Sequence, residues 1–286
     1  MIALVRTEFT KAARRMRTLV IVVLLVGLPS LIVFAINEHH GRPERGGDQT
    51  DGLFRLATQS GLLVPAAVLV AMSGFLLVVI AGTFAGDSVA GDAGWGNLRY
   101  LLMRPVARGR LLIAKAFVAG VMIWAATILV ALAGLVAGVL LFGSHAVVVP
   151  TTTFVDSGRV FGGFGLRTLT QTMLIERTVL ATAYVAFGYT ALLALGTLFS
   201  TFTDSAAGAI GATIGVYIVS EILDAITALG RVRYGFPTHY ATAWTSMFTD
   251  NHFSHEMIVG VVVQLVYFVV AGGAALVVFR RKDIRS

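Results

Sequence analysis

The sequence contains no cysteine, which excludes disulfide bonds, thiolate metal sites and a cysteine nucleophile. Charge is also scarce, because Asp, Glu, Lys and Arg make up 13% of the 286 residues, whereas soluble domains carry about 25%. Hydrophobic residues account for 57% of the chain, and the mean hydropathy is +0.84. This composition excludes an ordinary soluble domain and indicates that lipid surrounds most of the protein.

Long runs without charge have the length of membrane-spanning helices, which need about 20 apolar residues. Five runs meet this length, and a shorter sixth run follows the fourth after a tight turn. We therefore predict an all-α integral membrane protein that forms one transmembrane domain over residues 1–286. The predicted spans are 18–37, 62–84, 111–142, 178–200, 205–225 and 257–279.

Basic residues are distributed unevenly between the connections. If the spans alternate in direction, 14 of the 22 Lys and Arg residues fall on one side, in the N-terminal segment, the connection after the second span and the tail. The other eight lie in longer loops of mixed charge. The positive-inside rule then predicts that both termini are cytoplasmic. The excess of Lys and Arg on the cytoplasmic side explains the net charge of +7. We therefore expect no nucleic-acid partner.

The N-terminal segment, 1–17, predicts an amphipathic helix that lies in the cytoplasmic interface of the bilayer. Its apolar residues Ile2, Val5, Phe9 and Met16 recur at helical spacing, with basic residues on the other faces. No A-x-A cleavage site follows, so the segment does not resemble a secretory signal. A positively charged flank without helical structure is the alternative.

Patterns for catalysis or metal binding are weak. None of the three lysines follows a glycine, which excludes the phosphate-binding pattern G-x-x-x-x-G-K-[ST]. All six histidines fall in predicted outer ends and loops, so none can activate a serine in the middle of a span. The stretch DNHFSHE places His252 and His255 three residues apart but provides no third zinc ligand. We predict no catalytic residue, no metal and no cofactor in this chain.

Two acidic residues, Glu221 and Asp224, lie one helical turn apart near the predicted outer end of the fifth span. Arg231 and Arg233 follow them closely. The four residues predict either an ion-pair cluster at the interface or an acidic lip on a path for a cationic substrate. The next segment, 227–256, either dips back into the membrane against protein or forms a surface loop.

The connection after the second span reads GDSVAGDAGWGNLRYLLMRPVARGRLLIAK over 86–115. Leu98, Leu101 and Leu102 fall on one face of a short helix, which Pro105 ends because proline lacks a backbone donor. With the six spans and the amphipathic lead, this connection resembles the cytoplasmic loop of exporter-type (type-2) ATP-binding-cassette permeases. Asn97 departs from the family pattern, where threonine is usual. A loop that only orients the protein is the alternative.

The resemblance implies that 85–110 is a coupling loop that contacts a separate ATPase. The coupling residues it implies are Asp87, Asp92, Leu98, Arg99, Leu101, Leu102, Arg104, Pro105 and Arg108. It further implies a permease subunit of a bacterial plasma membrane, paired with a second permease copy or a related permease. Two copies of the ATPase subunit would bind ATP and Mg²⁺.

By the same resemblance, substrate moves outward between the two permeases along the second and fifth spans. The residues expected along this path are Phe75, Phe84, Tyr217, Glu221 and Asp224. Phe75, Phe84 and Tyr217 would give this path apolar and aromatic walls, which suit a lipophilic or amphipathic substrate, such as a drug or antibiotic. The alternatives are a standalone secondary transporter or channel and a membrane assembly protein that transports nothing.

Overall fold

The computed structural model describes residues 2–38, 57–94, 107–152, 164–249 and 254–281. The α-helices in chain order are α1 (Ile2–Ala13), α2 (Met16–Glu38), α3 (Val64–Ser73), α4 (Leu76–Gly94), α5 (Arg108–Phe142), α6 (Gln171–Gly188), α7 (Thr190–Phe202), α8 (Ala206–Ala225), α9 (Ser246–Thr249) and α10 (His255–Arg281). Strands β1 (Val147–Thr152) and β2 (Phe164–Leu169) form an antiparallel pair between α5 and α6.

Six helical stretches in the described residues are long and apolar enough to cross a membrane. They are α2, α4, α5, the stretch Gln171–Phe202 that contains α6 and α7, α8 and α10. This confirms the predicted all-α membrane fold with six spans. The most buried of them is α4, whereas α2, α8 and α10 face outward over most of their surface.

The helices begin and end at different residues from the predicted spans. The apolar run predicted as the second span, 62–84, is divided into α3 and α4 at Gly74 and Phe75, and α4 continues to Gly94. The fourth span begins at Gln171 and includes Arg177, which is only 1% exposed. The hairpin of β1 and β2 was not predicted, although the run VVV at 147–149 is typical of strands.

Helix α5 has 35 residues, which at 1.5 Å per residue gives a length of about 52 Å. A bilayer measures about 40–45 Å including its headgroup regions. Helix α5 is therefore longer than the bilayer is thick, and Lys115 lies near its N-terminal end. Near its other end, α5 approaches α3 closely, because a Cβ on Gly138 would lie 2.6 Å from the Cβ of Val64.

The segment after α8 folds into three 3-10 helices, Thr227–Gly235, Pro237–Tyr240 and Ala243–Thr245, followed by α9. We call Thr227–Thr249 the outer cap. Its side chains Trp244, Met247 and Phe248 are at most 1% exposed and belong to the main hydrophobic core. The buried Arg177 donates a hydrogen bond to the Met247 carbonyl oxygen. The outer cap therefore packs into the helix bundle instead of lying on its surface.

Candidate functional site

Ion pairs attach α1, the turn after it and the first turn of α2 to the C-terminal half of α4. Lys11 Nζ pairs with Asp92 Oδ1, while Arg15 and Arg17 both pair with Asp87 Oδ2. The side chains of Asp87 and Asp92 are only 9% and 3% exposed. The two carboxylates therefore face α1 and the interior of the protomer.

Lys115 extends this arrangement to α5. Its Nζ pairs with Asp92 Oδ2 and also lies 3.0 Å from Glu8 Oε2, and its side chain is 3% exposed. Asp92 stands in the last turn of α4 and Lys115 near the start of α5. Their ion pair thus joins the two helices on either side of 95–106.

We call this group of seven residues the charged cluster: Glu8, Lys11, Arg15, Arg17, Asp87, Asp92 and Lys115. Three carboxylates and four cations nearly balance in charge, which makes their burial tolerable. Glycine at 91 leaves room for the cluster, since a Cβ there would overlap the Asp87 carboxylate. The Ser200 hydroxyl of α7 accepts hydrogen bonds from the Val89 and Ala90 amides at 2.9 and 2.7 Å, which holds this part of α4 from the other side.

Only part of the predicted coupling loop lies in the described residues. Leu98, Arg99, Leu101, Leu102, Arg104 and Pro105 lie outside them. Arg108 opens α5 and is exposed, whereas Asp87 and Asp92 are buried in the charged cluster. The sequence did not predict the cationic partners of these acids, although positions 8, 11 and 15 share one helical face at the spacing i, i+3 and i+7.

The residues predicted along a substrate path are separated by the fold. Phe75 is 68% exposed at the break between α3 and α4. Phe84, in contrast, is 6% exposed and lines a small internal cavity with Ala119 and Met122. Because Phe84 lies inside the protomer, we do not carry it into the proposed path.

The predicted pair of acids divides into two different environments. Asp224 Oδ1 lies 2.6 Å from His239 Nδ1 and 3.5 Å from Arg233 Nε, both in the outer cap. This residue therefore belongs to an ion-pair cluster, the first of the two alternatives. Glu221 is exposed and forms no ion pair with any residue in the described part of the chain.

Glu221 lines a cavity of about 140 Å³ that the outer cap encloses against α6, α8 and α10. Tyr184, Tyr189, Tyr217 and Tyr240 also line it. We call this space the tyrosine cavity. A second cavity of about 170 Å³ shares Tyr217 and Gln264 with it.

A larger apolar groove of about 960 Å³ lies between α5, α7 and α10. Phe117, Trp124 and Phe268 line it, and no charged residue does. Thr190 and Thr197 are the polar residues among those that line it. Within the described residues, no group of His, Asp and Glu side chains could hold a metal ion.

Six helical stretches with the length and hydropathy of membrane spans define the class of multi-pass membrane proteins. A family model described as ABC-2 family transporter protein matches residues 2–284. The chain belongs to this family. A search of curated proteins finds no match. Family members are membrane transport subunits that generally have no nucleotide site, and the family implies an ATP-binding-cassette ATPase as partner.

Proposed function

We propose that this chain is the membrane-spanning permease of an ABC exporter of the bacterial plasma membrane. It couples ATP hydrolysis by a separate ATPase subunit to the outward transport of a lipophilic or amphipathic substrate. Two copies of the ATPase bind ATP and Mg²⁺, and their movement is transmitted to the coupling loop. The observation that carries the proposal is the charged cluster, because it joins both flanks of this loop to α1.

The cluster explains how a push on the loop reaches the spans. The Asp92–Lys115 pair links α4 with α5, and Lys11 and Glu8 link both helices to α1. The side chains of Asp92 and Lys115 are each only 3% exposed, so separating these two charges would be costly. Force applied at 95–106 therefore moves α1, α4 and α5 together instead of bending the loop alone.

A second permease copy would pack along α8. Gly211 and Gly215 of this helix have no atom within 4 Å of an added Cβ, so they leave room for another helix. The neighbouring Val216, Val219 and Ile222 are 41%, 53% and 57% exposed. Close approach at glycine is a common mode of helix association in membranes. The substrate path then follows the contact between the two copies.

The test is to express the chain together with the ABC ATPase encoded beside its gene. We expect the two to purify as one complex whose ATP hydrolysis changes with the permease present. An unrelated ABC ATPase serves as the control for nonspecific association. If no complex forms and hydrolysis ignores the permease, the chain is instead a standalone transporter, a channel or an assembly protein.

A further inference from the structure

The tyrosine cavity has an unusual chemistry, because most of its polar groups are already engaged. The Tyr184 hydroxyl donates to the Tyr240 carbonyl oxygen at 2.9 Å. The Tyr189 hydroxyl donates to the Ser73 carbonyl oxygen at 2.8 Å, and the Tyr240 hydroxyl to that of Tyr234 at 3.1 Å. Burial raises the pKa of the Tyr240 phenol, so it stays a donor. These bonds hold the three rings in place and leave none of these three hydroxyls free to donate to a ligand.

The one amide at this wall is engaged as well. Gln264 Nε2 donates to the Pro237 carbonyl oxygen at 3.2 Å, and its Oε1 accepts a hydrogen bond from the Ala191 amide at 3.2 Å. The cavity therefore offers a ligand four tyrosine rings, the hydroxyls of Ser73 and Thr242, and a single carboxylate, that of Glu221. Tyr217, one turn before Glu221, is its hydrogen-bonding neighbour.

None of the three basic residues of the outer cap, Arg231, Arg233 and His239, lines this cavity. Arg233 and His239 both turn to Asp224, and neither lines the tyrosine cavity. A carboxylate at the end of a spanning helix is costly without a positive partner. Glu221 thus faces the cavity with no basic residue among those that line it.

We propose that the tyrosine cavity binds an organic cation, with the ligand's positive charge against Glu221 and its apolar part against the tyrosine rings. Aromatic rings attract quaternary ammonium groups through their negative faces. A metal ion fits the site poorly, since Ca²⁺ and Mg²⁺ need six or more oxygen ligands and only one carboxylate is offered. This inference rests on the proposed function, in which it narrows the amphipathic substrate to a cationic one.

Binding to the purified full-length chain in lipid nanodiscs, without any ATPase, tests the proposal. Phenyltrimethylammonium is the probe, and tert-butylbenzene is its neutral isostere. We expect calorimetry to detect the cation, with at least tenfold weaker binding in Glu221→Gln. Asp224→Asn is the matched control, because it changes the carboxylate one turn away, outside the cavity, and should alter the affinity less than threefold.

A second pair of variants tests the aromatic contribution. Tyr217→Phe keeps the ring and should retain the affinity within threefold, whereas Tyr217→Leu removes the ring and should weaken binding at least fivefold. If Glu221→Gln does not fold, the proposal is tested by comparing the affinities of the unsubstituted chain for phenyltrimethylammonium and for tert-butylbenzene. Equal affinity for the two probes, or equal losses in Glu221→Gln and Asp224→Asn, overturns the proposal.

These outcomes are separate from those of the proposed function. A chain that forms an active complex with its ATPase but binds no cation would still be a permease, and only the cationic substrate class would be lost. If the chain binds the cation but no ATPase, the proposed cation site stands and the proposed coupling to an ATPase is wrong.

Discussion

Three cations reach Asp92, two from α1 and its following turn and one from α5. Of these cations, Lys115 is the most buried, and its side chain is 3% exposed, like that of Asp92. A buried ion pair gives little net stability relative to apolar residues of the same size. Loss of Asp92 alone is different, because the buried Lys115 then keeps only Glu8, at 3.0 Å, as a partner.

Removing one charge of the Asp92–Lys115 pair should therefore destabilise the protein more than removing both. We expect Asp92→Leu to lower the free energy of unfolding by about 3 kcal/mol. Combining it with Lys115→Met should restore most of this loss, since both buried charges are then gone. Glu8 and Lys11, three residues apart on α1, can pair with each other in the double variant.

The measurement is the unfolding of the purified permease in mixed micelles, followed by circular dichroism. A double variant as unstable as Asp92→Leu alone would contradict a role of the Asp92–Lys115 pair as a mutually compensated unit.

At the scale of the elements, α1 is attached to the bundle by charges rather than by a deep apolar face. None of its residues is buried, while Lys11 and the following Arg15 reach carboxylates of α4. The sequence predicted an amphipathic helix held by lipid. The ion pairs with α4 also join α1 to the helices that flank the predicted coupling loop, and its position relative to lipid stays a prediction.

Two adjacent arginines provide a matched test of this attachment. Arg15 bridges Asp87 and Asp92, whereas its neighbour Arg14 is exposed and pairs with no carboxylate of the described residues. In the complex with its ATPase, we expect Arg15→Gln to reduce substrate-stimulated ATP hydrolysis about fivefold, the lower end of typical coupling effects. Arg14→Gln should leave it unchanged.

Complex formation serves as the control for both variants, because neither substitution changes the coupling loop itself. Equal stimulation in the two variants would show that the attachment of α1 takes no part in coupling.

At the scale of the whole molecule, the expected orientation places the charged cluster on the cytoplasmic side and the outer cap on the opposite side. The charge distribution over the connections is the basis of this prediction. The absence of cysteine makes it simple to test, because single cysteines can be introduced without background.

We expect a membrane-impermeant maleimide to label Thr227→Cys in intact cells, since Thr227 begins the outer cap and is exposed. Thr7→Cys, on the exposed surface of α1, should be labelled only after permeabilisation. The unsubstituted chain is the control. The reverse pattern would place both termini outside and would rule out a cytoplasmic coupling loop.

Glycine positions illustrate how far the sequence could predict the packing. The spacing of Gly134 and Gly138 resembles that of Gly211 and Gly215, and all four suit close helix contacts. In the fold, the first two face α3 within the chain, whereas the last two face open space. Spacing alone cannot separate these cases, because the neighbour of each glycine is set by the arrangement of other helices.

The sequence by itself determined the membrane fold, the six spans and the family resemblance. Insertion depends on local composition, since each helix satisfies its own backbone hydrogen bonds. Only the tertiary structure decided which charges meet. Lys11 and Arg15 lie 81 and 72 residues from their partners Asp92 and Asp87. Asp224 is paired and Glu221 is left to the cavity because the outer cap folds back over α8, and no local pattern encodes that contact.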